Sequence, residues 1–125
     1  MLTIDVNNYG TNYKLGLFRE KYACDNSIYI GAIVIDCDDK DDIGEEYGDI
    51  TVNTYASMEN CVTLDNNNGP LSIESFLKHK SWYEDLGKIN QGFCTYPFVK
   101  LTDEFLNNVD TYDTLVTKLE KQVNV

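Results

Sequence analysis

The residues with the clearest chemical character in this sequence are eight carboxylates crowded into residues 36–49, a stretch that we call the acidic segment. Lys40 is the one base among them, so the segment has a local net charge of -7 out of -11 for the whole chain. Its acids are Asp36, Asp38, Asp39, Asp41, Asp42, Glu45, Glu46 and Asp49. Carboxylates at this density favour contact with a cation or a basic protein surface, unless the segment is simply a solvated loop.

The spacing of these acids argues against a calcium loop, which needs glycine at its sixth position and glutamate at its twelfth. Counted from Asp36, the sixth position is Asp41. Counted from Asp39, Gly44 fits but Ile50 occupies the twelfth position. A cation site is therefore only an alternative, beside two other interpretations: a solvated connection between strands, and a contact surface for a partner rich in Lys and Arg.

Charge density separates imitation of a nucleic acid from simple attraction to a basic partner. Fully extended, the 14 residues span roughly 46 Å, or one net charge per roughly 6 to 7 Å. A DNA strand carries a phosphate about every 3.4 Å. Imitation therefore requires the segment to fold back or to be joined by other acids, such as Asp103, Glu104, Asp110 and Asp113. Attraction to a basic partner, with strong salt dependence, requires neither.

Residues suited to catalysis are few. His79 is the only histidine, and its place between two lysines near the end of a predicted helix favours a surface or capping role. The cysteines form no C-x-x-C pair and lie in no nucleophile motif, which indicates free, mostly buried thiols; they are Cys24, Cys37, Cys61 and Cys94. We therefore expect no enzyme, no metal site and no cofactor, although a Cys-His pair stays open as an alternative.

Composition also excludes classes of partner. A net charge of -11 repels nucleic-acid phosphates and anionic membranes, so we expect no direct nucleic acid and no membrane contact. No apolar run approaches the roughly 18 residues of a membrane span, and Asp5 interrupts the apolar stretch that a signal peptide would need. These features predict a soluble, cytoplasmic protein.

The elements that must position the acids form an α+β fold in a single domain, residues 1–125, with an antiparallel sheet of about five strands. Residues 2–6 and 11–18 read as a hairpin, and 27–35 as a central strand covered on both faces. The acidic segment then leads to the partner of that strand, residues 49–55. Further strands are predicted at residues 61–64 and at residues 92–101, where Pro97 indicates an edge or a bulge.

One mid-chain helix and a C-terminal helical region complete the predicted fold. The helix spans residues 70–86, with Ser72 as its N-cap and Gly87 as its stop. Thr102 caps the C-terminal region, which Asp110 divides into two helices. The apolar positions of that region recur in steps of three and four and form one inward face: Phe105, Val109, Tyr112, Val116, Leu119 and Val123.

Five stretches between residues 27 and 101 resemble a domain-of-unknown-function family of small acidic proteins from bacterial mobile elements and phages. They are SIYIGAIVI, YGDITVNTY, VTLDNNNG, the helix with ESFLK, and GFCTYPFVKL. Residues 92–97, Gly-Phe-Cys-Thr-Tyr-Pro, resemble the Gly-aromatic-Cys-x-Tyr-Pro closing strand of that family, and the Asp65-Asn66-Asn67 turn resembles another of its elements. The resemblance implies no activity, but it implies a genomic setting in which small acidic proteins often inhibit host defence.

Together these features predict a non-enzymatic protein that binds and inhibits a host nucleic-acid-processing defence protein, of the anti-CRISPR or anti-restriction type. The predicted contact is the acidic segment, and the predicted partner is a basic surface. The alternatives are a housekeeping interaction module of a mobile element, for instance a homodimer, and a divalent-cation-binding module.

Overall fold

The computed structural model describes residues 1–56 and 58–123, which form two antiparallel sheets and three α-helices. The strands are β1 Thr3–Asn8, β2 Thr11–Lys21, β3 Ile28–Cys37, β4 Glu46–Asp49, β5 Thr51–Val52, β6 Cys61–Leu64, β7 Tyr83–Gln91, β8 Cys94–Leu101 and β9 Asp110–Thr111. The helices are α1 Pro70–Leu77, α2 Asp103–Asn108 and α3 Tyr112–Val123. The α+β class predicted from the sequence is confirmed, with the strands divided between two sheets.

The first sheet has the order β1-β2-β3-β4, and β9 adds a short parallel pairing to β2. The predicted hairpin of β1 and β2 is present, and its turn holds Tyr9 at φ 50° and Gly10 at φ 86°. Positive φ at both turn residues gives the backbone twist that a two-residue hairpin needs. Helix α1 lies beside β1, where the Ser75 hydroxyl donates to the Asp5 carbonyl at 2.7 Å.

The second sheet has the order β5-β6-β8-β7 and is joined to the first at Ile50 and Thr51. The Ile50 amide donates to the Ile30 carbonyl of the first sheet, and the Ile50 carbonyl accepts from the Asp65 amide next to the second, both at 2.9 Å. The buried Thr51 hydroxyl accepts from the Ile30 amide at 3.1 Å and contacts the Tyr22 hydroxyl at 3.0 Å. The end of β4 is therefore fixed to both sheets.

Strand β3 is covered on both faces, as its continuous apolar run predicts. On one face Ile30 and Val34 belong to the main core, which also holds Phe76 and Phe105 from α1 and α2. On the other face Ile33 packs in a smaller cluster with Phe18, Leu115 and Leu119, beneath α3. The acidic segment thus leaves the sheet from a strand that is buried on both sides.

The predicted helix over residues 70–86 is wrong in its second half. Helix α1 ends at Leu77, its N-cap is Gly69 rather than Ser72, and Ser72 is buried within it. A 3₁₀ turn, Lys80–Trp82, then leads into β7, in which Gly87 lies beside a bulge at φ 109°. The buried Trp82 ring, 5.4 Å from that of Phe76, and the pairing of β7 with β8 outweigh the local helical pattern.

The predicted strand over residues 49–55 is also corrected. Its pairing with β3 ends at Asp49, and Thr51–Val52 pairs with β6 instead, with both Ile50 and Thr51 buried. The chain passes between two sheets here, which interrupts the period of two that a single strand would have.

Strand β8 is confirmed, but the edge position that Pro97 indicated is wrong, because β8 lies between β6 and β7. Pro97 is one residue beyond the last pair with β6, which is Thr63 with Phe98. The missing amide of proline therefore falls where pairing on that side has ended. The C-terminal region divides at Asp110 as predicted, and there it also forms β9. Its inward face includes the buried Leu115, which the spacing missed, while the side chain of Val123 lies outside the described residues.

Candidate functional site: the acidic segment and the cleft at its end

The acidic segment is folded back against β3 and is not an extended arm. After Cys37 it enters a 3₁₀ turn, Lys40–Asp42, whose N-cap Asp39 accepts a hydrogen bond from the Asp41 amide at 3.0 Å. Gly44 takes a positive φ of 93°, and its amide donates to the Val34 carbonyl at 2.8 Å. These bonds return the chain to the edge of β3, where it continues as β4.

Most of the segment's charge is exposed and unpaired. Seven of its eight acids are exposed, and Asp42 is half-buried. Within the described residues, the only salt bridge of the segment joins Asp36 to Lys40, at 2.6 Å. The Lys40 ammonium lowers the pKa of Asp36, chiefly through this hydrogen bond. The segment therefore presents a surface of nearly uncompensated negative charge.

The structure does not gather the eight acids around one point. Asp36 and Asp38 border a shallow cavity of about 460 Å³ together with Lys14. The 3₁₀ turn contains Asp41 and Asp42 and is preceded by Asp39. Glu45 precedes β4, and Glu46 is its first residue. Asp49, at the other end of the segment, lines a different and larger cleft.

This larger cleft, which we call the Asp49 cleft, has a volume of about 940 Å³. It lies between the β1–β2 turn, β4 and the chain leading into α1. Its lining comprises Asn7, Asn8, Tyr9, Tyr47, Gly48, Asp49, Asp65, Asn68, Gly69, Pro70, Leu71 and Ser72. The Gly69 amide donates to the Asp65 carbonyl at 3.1 Å, which closes the turn that leads into α1.

Asp65 is the buried acid of the cleft, with only 5% of its surface exposed. Its carboxylate accepts from the Asn68 backbone amide at 3.2 Å and from Asn68 Nδ2 at 3.0 Å. In the part of the chain that the structure describes, neither Asp65 nor Asp49 forms a salt bridge. Neither carboxylate therefore has a basic side chain to balance it among the described residues.

Asp49 also accepts a hydrogen bond from the Tyr29 hydroxyl. Burial raises the pKa of Tyr29, and the Asp49 carboxylate raises it further because it stabilises the protonated phenol. Burial likewise raises the pKa of Tyr22, with additional contributions from the Asp49 and Asp65 carboxylates. The raised pKa values of both phenols therefore reflect nearby carboxylates in addition to burial.

Tyrosines flank the cleft. Tyr9 is fully exposed in the hairpin turn, at 102% of its reference surface. Tyr47 is half-buried, with its ring centroid 5.3 Å from that of Tyr13. Sequence reasoning identified Asp49 but missed Asp65 and Tyr9. Their two turns, NNYG and DNNNG, carried strong turn signals, but no local signal indicates that they meet.

The other residues considered for catalysis are the four cysteines and His79. The four cysteines are free: Cys37 and Cys61 are buried, Cys94 is half-buried, and Cys24 is exposed, contrary to expectation. Burial raises the pKa of the Cys37 and Cys61 thiols. His79 stacks on Trp82 with ring centroids 3.8 Å apart.

Residues 1–56 and 58–123 contain neither a metal-ligating cluster nor a membrane-spanning helix. No group of three or more His, Cys, Asp or Glu side chains there is arranged to hold a metal ion. None of the helices there is both long and apolar enough to cross a membrane.

Comparison with known proteins places the chain in a family. The model of a domain of unknown function, DUF4313, matches residues 17–118. The chain belongs to the DUF4313 family. The DUF4313 match begins within β2 and ends within α3, so it includes the acidic segment and residues 92–97. No curated protein and no solved structure matches the chain.

Proposed function

We propose that this DUF4313 protein is a non-enzymatic protein of a phage or bacterial mobile element that binds and inhibits a host nucleic-acid-processing defence protein. The acidic segment is the contact, and a surface rich in Lys and Arg is its target. The observation that carries the proposal is the exposure of seven carboxylates in one segment with a single compensating lysine.

The same charge that attracts a basic protein repels nucleic acid. With a net charge of -11, the protein is steered toward positive surfaces, and association is faster at low ionic strength. A basic groove that normally holds phosphates is such a surface. Binding of the acidic segment in this groove excludes the nucleic acid and inhibits the protein that contains the groove.

Folding of the acidic segment supports recognition as well as attraction. The Asp39 cap and the Gly44 bond to Val34 fix the backbone between β3 and β4. A fixed backbone has less conformational entropy to lose on binding than a flexible arm. The surface is therefore suited to a defined partner in addition to nonspecific polycations.

A pull-down with purified nuclease effectors, at low and high salt, tests the proposal. The test variant changes four exposed or half-exposed acids to asparagine: Asp38, Asp39, Asp41 and Asp42. The control variant makes the same charge change elsewhere, at the exposed Glu59, Glu74, Glu84 and Glu104, each to glutamine.

We expect the test variant to lose capture of the effector at low salt and the control variant to keep most of it. High salt should weaken capture by the unmodified protein. In a cleavage assay, the captured effector should regain nucleic-acid cleavage when the test variant replaces the unmodified protein. Equal capture by both variants excludes the acidic segment as the contact.

A further inference from the structure

We propose that the outer edge of β7 pairs antiparallel with the same edge of a second copy of this chain, with Ile89 at the two-fold axis. Such pairing joins the four-stranded second sheets of the two copies into one continuous sheet. The inference is independent of the proposed function, because β7 belongs to the second sheet and the acidic segment adjoins the first.

The outer edge of β7 is open. Strand β7 ends the second sheet, and no strand within residues 1–56 and 58–123 pairs with its outer side. It has nine residues and is exposed along most of them. A long edge strand of this kind presents unpaired backbone N–H and C=O groups, which can bond to a further strand.

Pairing with β8 decides which backbone groups point to the open edge. Residues of an antiparallel strand bond alternately to the neighbour on one side and to the neighbour on the other. The Leu101 amide donates to the chain just before β6, so Pro97 and Thr95, in the same alternation, also turn away from β7. The residues opposite these two in β7 are Lys88 and Asn90. The N–H and C=O groups of Lys88 and Asn90 therefore point to the open edge.

A two-fold axis at Ile89 gives these groups partners. It places Lys88 of each copy opposite Asn90 of the other, so that each pair exchanges backbone hydrogen bonds in both directions. Ile89 then faces Ile89 of the second copy in a pair without hydrogen bonds, in which side chains come closest. Gly87 lies opposite Gln91, and no charged residue of the paired stretch faces a like charge.

Charge favours this surface over the rest of the molecule. Two copies with a net charge of -11 each repel one another, so contact is easiest where carboxylates are absent. Residues 86–102 are the longest run of the chain without Asp or Glu, and they include most of the β7–β8 hairpin. The acids at the start of β7, Glu84 and Asp85, fall opposite the hairpin turn of the other copy and not opposite other carboxylates.

The hairpin also exposes two large apolar side chains. Phe93, in its two-residue turn, is exposed at 111%, and Leu86 at 40%. With the axis at Ile89, the turn that carries Phe93 in one copy lies beside Leu86 of the other. Pairing therefore removes apolar surface of both copies from water.

Two features restrict the pairing. The bulge between Asp85 and Gly87 bends the strand, and bulges and lysines on edge strands discourage association. The bulge confines the contact to residues 87–91, so we expect a weak dimer. Lys88 disfavours other registers, since an axis at Lys88 would place two ammonium groups opposite each other.

Sedimentation equilibrium of the full chain, from micromolar to millimolar concentration and at several salt concentrations, tests the inference. We expect twice the mass of the chain at the highest concentration. Added salt should strengthen dimerisation because it screens the repulsion between the copies, whereas it should weaken capture of a basic partner. A protein that stays monomeric throughout overturns the inference, and the edge is then open only to a strand of a different protein.

Opposite charges introduced at the axis locate the interface. Ile89→Lys places two ammonium groups opposite each other and Ile89→Glu two carboxylates, so each variant alone should dimerise about tenfold more weakly. An equal mixture of the two variants should restore the dimer, which loss of folding in either variant would not do. The control Gln91→Lys adds the same positive charge opposite Gly87 of the other copy and should dimerise as the unmodified protein does.

Asn90→Pro tests the backbone hydrogen bonds. It removes an amide that β8 does not use, so the hairpin should keep its pairing while dimerisation weakens. Thermal unfolding shows that each variant is folded. Unchanged dimerisation of Ile89→Lys and Asn90→Pro, or no recovery of the dimer in the mixture of the two Ile89 variants, would overturn the inference.

Discussion

At the scale of single residues, Tyr29 joins a half-buried phenol to the Asp49 carboxylate. Its pKa in the folded protein is raised above the ordinary value of 10.0, first by burial and then by Asp49. Above that ordinary value the unfolded chain releases its phenolic proton while the folded chain retains it. The contribution of Tyr29 to the free energy of unfolding is therefore fully present below about pH 10 and is lost as the pH rises further.

The Asp49→Asn variant tests this coupling. Removing the carboxylate should let Tyr29 ionise at lower pH than in the unmodified protein, because burial, Glu46 and Tyr22 are then the causes that still raise its pKa. Tyrosinate absorbance during an alkaline titration measures the change, with Asp38→Asn as the control. Identical titration curves for the unmodified and Asp49→Asn proteins would contradict it.

Phe105 is the aromatic residue on which the contact between α2 and the core depends. It is fully buried, with its ring centroid 5.6 Å from Phe76 and 5.5 Å from Trp82. Phe105→Ala should lower the free energy of unfolding by about 3–5 kcal/mol through lost burial and the cavity left behind. The fully exposed Phe93 supplies the control, because Phe93→Ala should change the free energy of unfolding by about 0.5 kcal/mol or less. Urea unfolding measures both, and equal effects would contradict the packing described.

At the scale of elements, Thr102 fixes the start of α2. Its hydroxyl accepts from the Phe105 amide at 3.3 Å and donates to the Ser81 carbonyl at 2.7 Å. Thr102→Ala should cost about 1–2 kcal/mol of unfolding free energy, whereas Thr102→Ser should keep most of it because serine also caps. Urea unfolding of the two variants provides the comparison, and equal losses would show that the hydroxyl is not responsible.

Elements with strong local signals could be predicted from the sequence. The Asn-rich turn gave the β1–β2 hairpin, the continuous apolar run gave β3, and Thr102 and Asp110 gave the limits of α2. The second half of the predicted helix at 70–86 failed because β7 owes its form to pairing with β8, which no local pattern contains.

Of the candidate site, the sequence likewise predicts the acidic segment but not the cleft. The acidic segment is visible in composition, since its charges are consecutive in the chain. The Asp49 cleft is not, because its walls come from the hairpin turn at Tyr9, from β4 and from the turn after Asp65. Only the passage of the chain between two sheets brings these three places together.

At the scale of the whole molecule, the net charge of -11 opposes compaction. Added sodium chloride should therefore raise the free energy of unfolding, most steeply at low ionic strength, where charges repel over the longest distance. The variant with asparagine at positions 38, 39, 41 and 42 should be more stable than the unmodified protein at low salt. The difference should shrink toward about 1 M salt, where the screening length is about 3 Å.

Urea unfolding at several salt concentrations measures this effect, because urea adds no charge. The glutamine variant at positions 59, 74, 84 and 104 shows how far the effect depends on place. A larger gain for the asparagine variant is expected, since its four charges are neighbours along the chain. Stability that does not change with salt would contradict the prediction.

The position of Ile50 has a mechanical consequence. Its peptide groups bond to one sheet on one side and to the approach to the other sheet on the other side. A pull exerted on β4 by an attached molecule is consequently shared by both halves of the protein. Detaching this part of the chain therefore requires the hydrogen bonds on both sides of Ile50 to break.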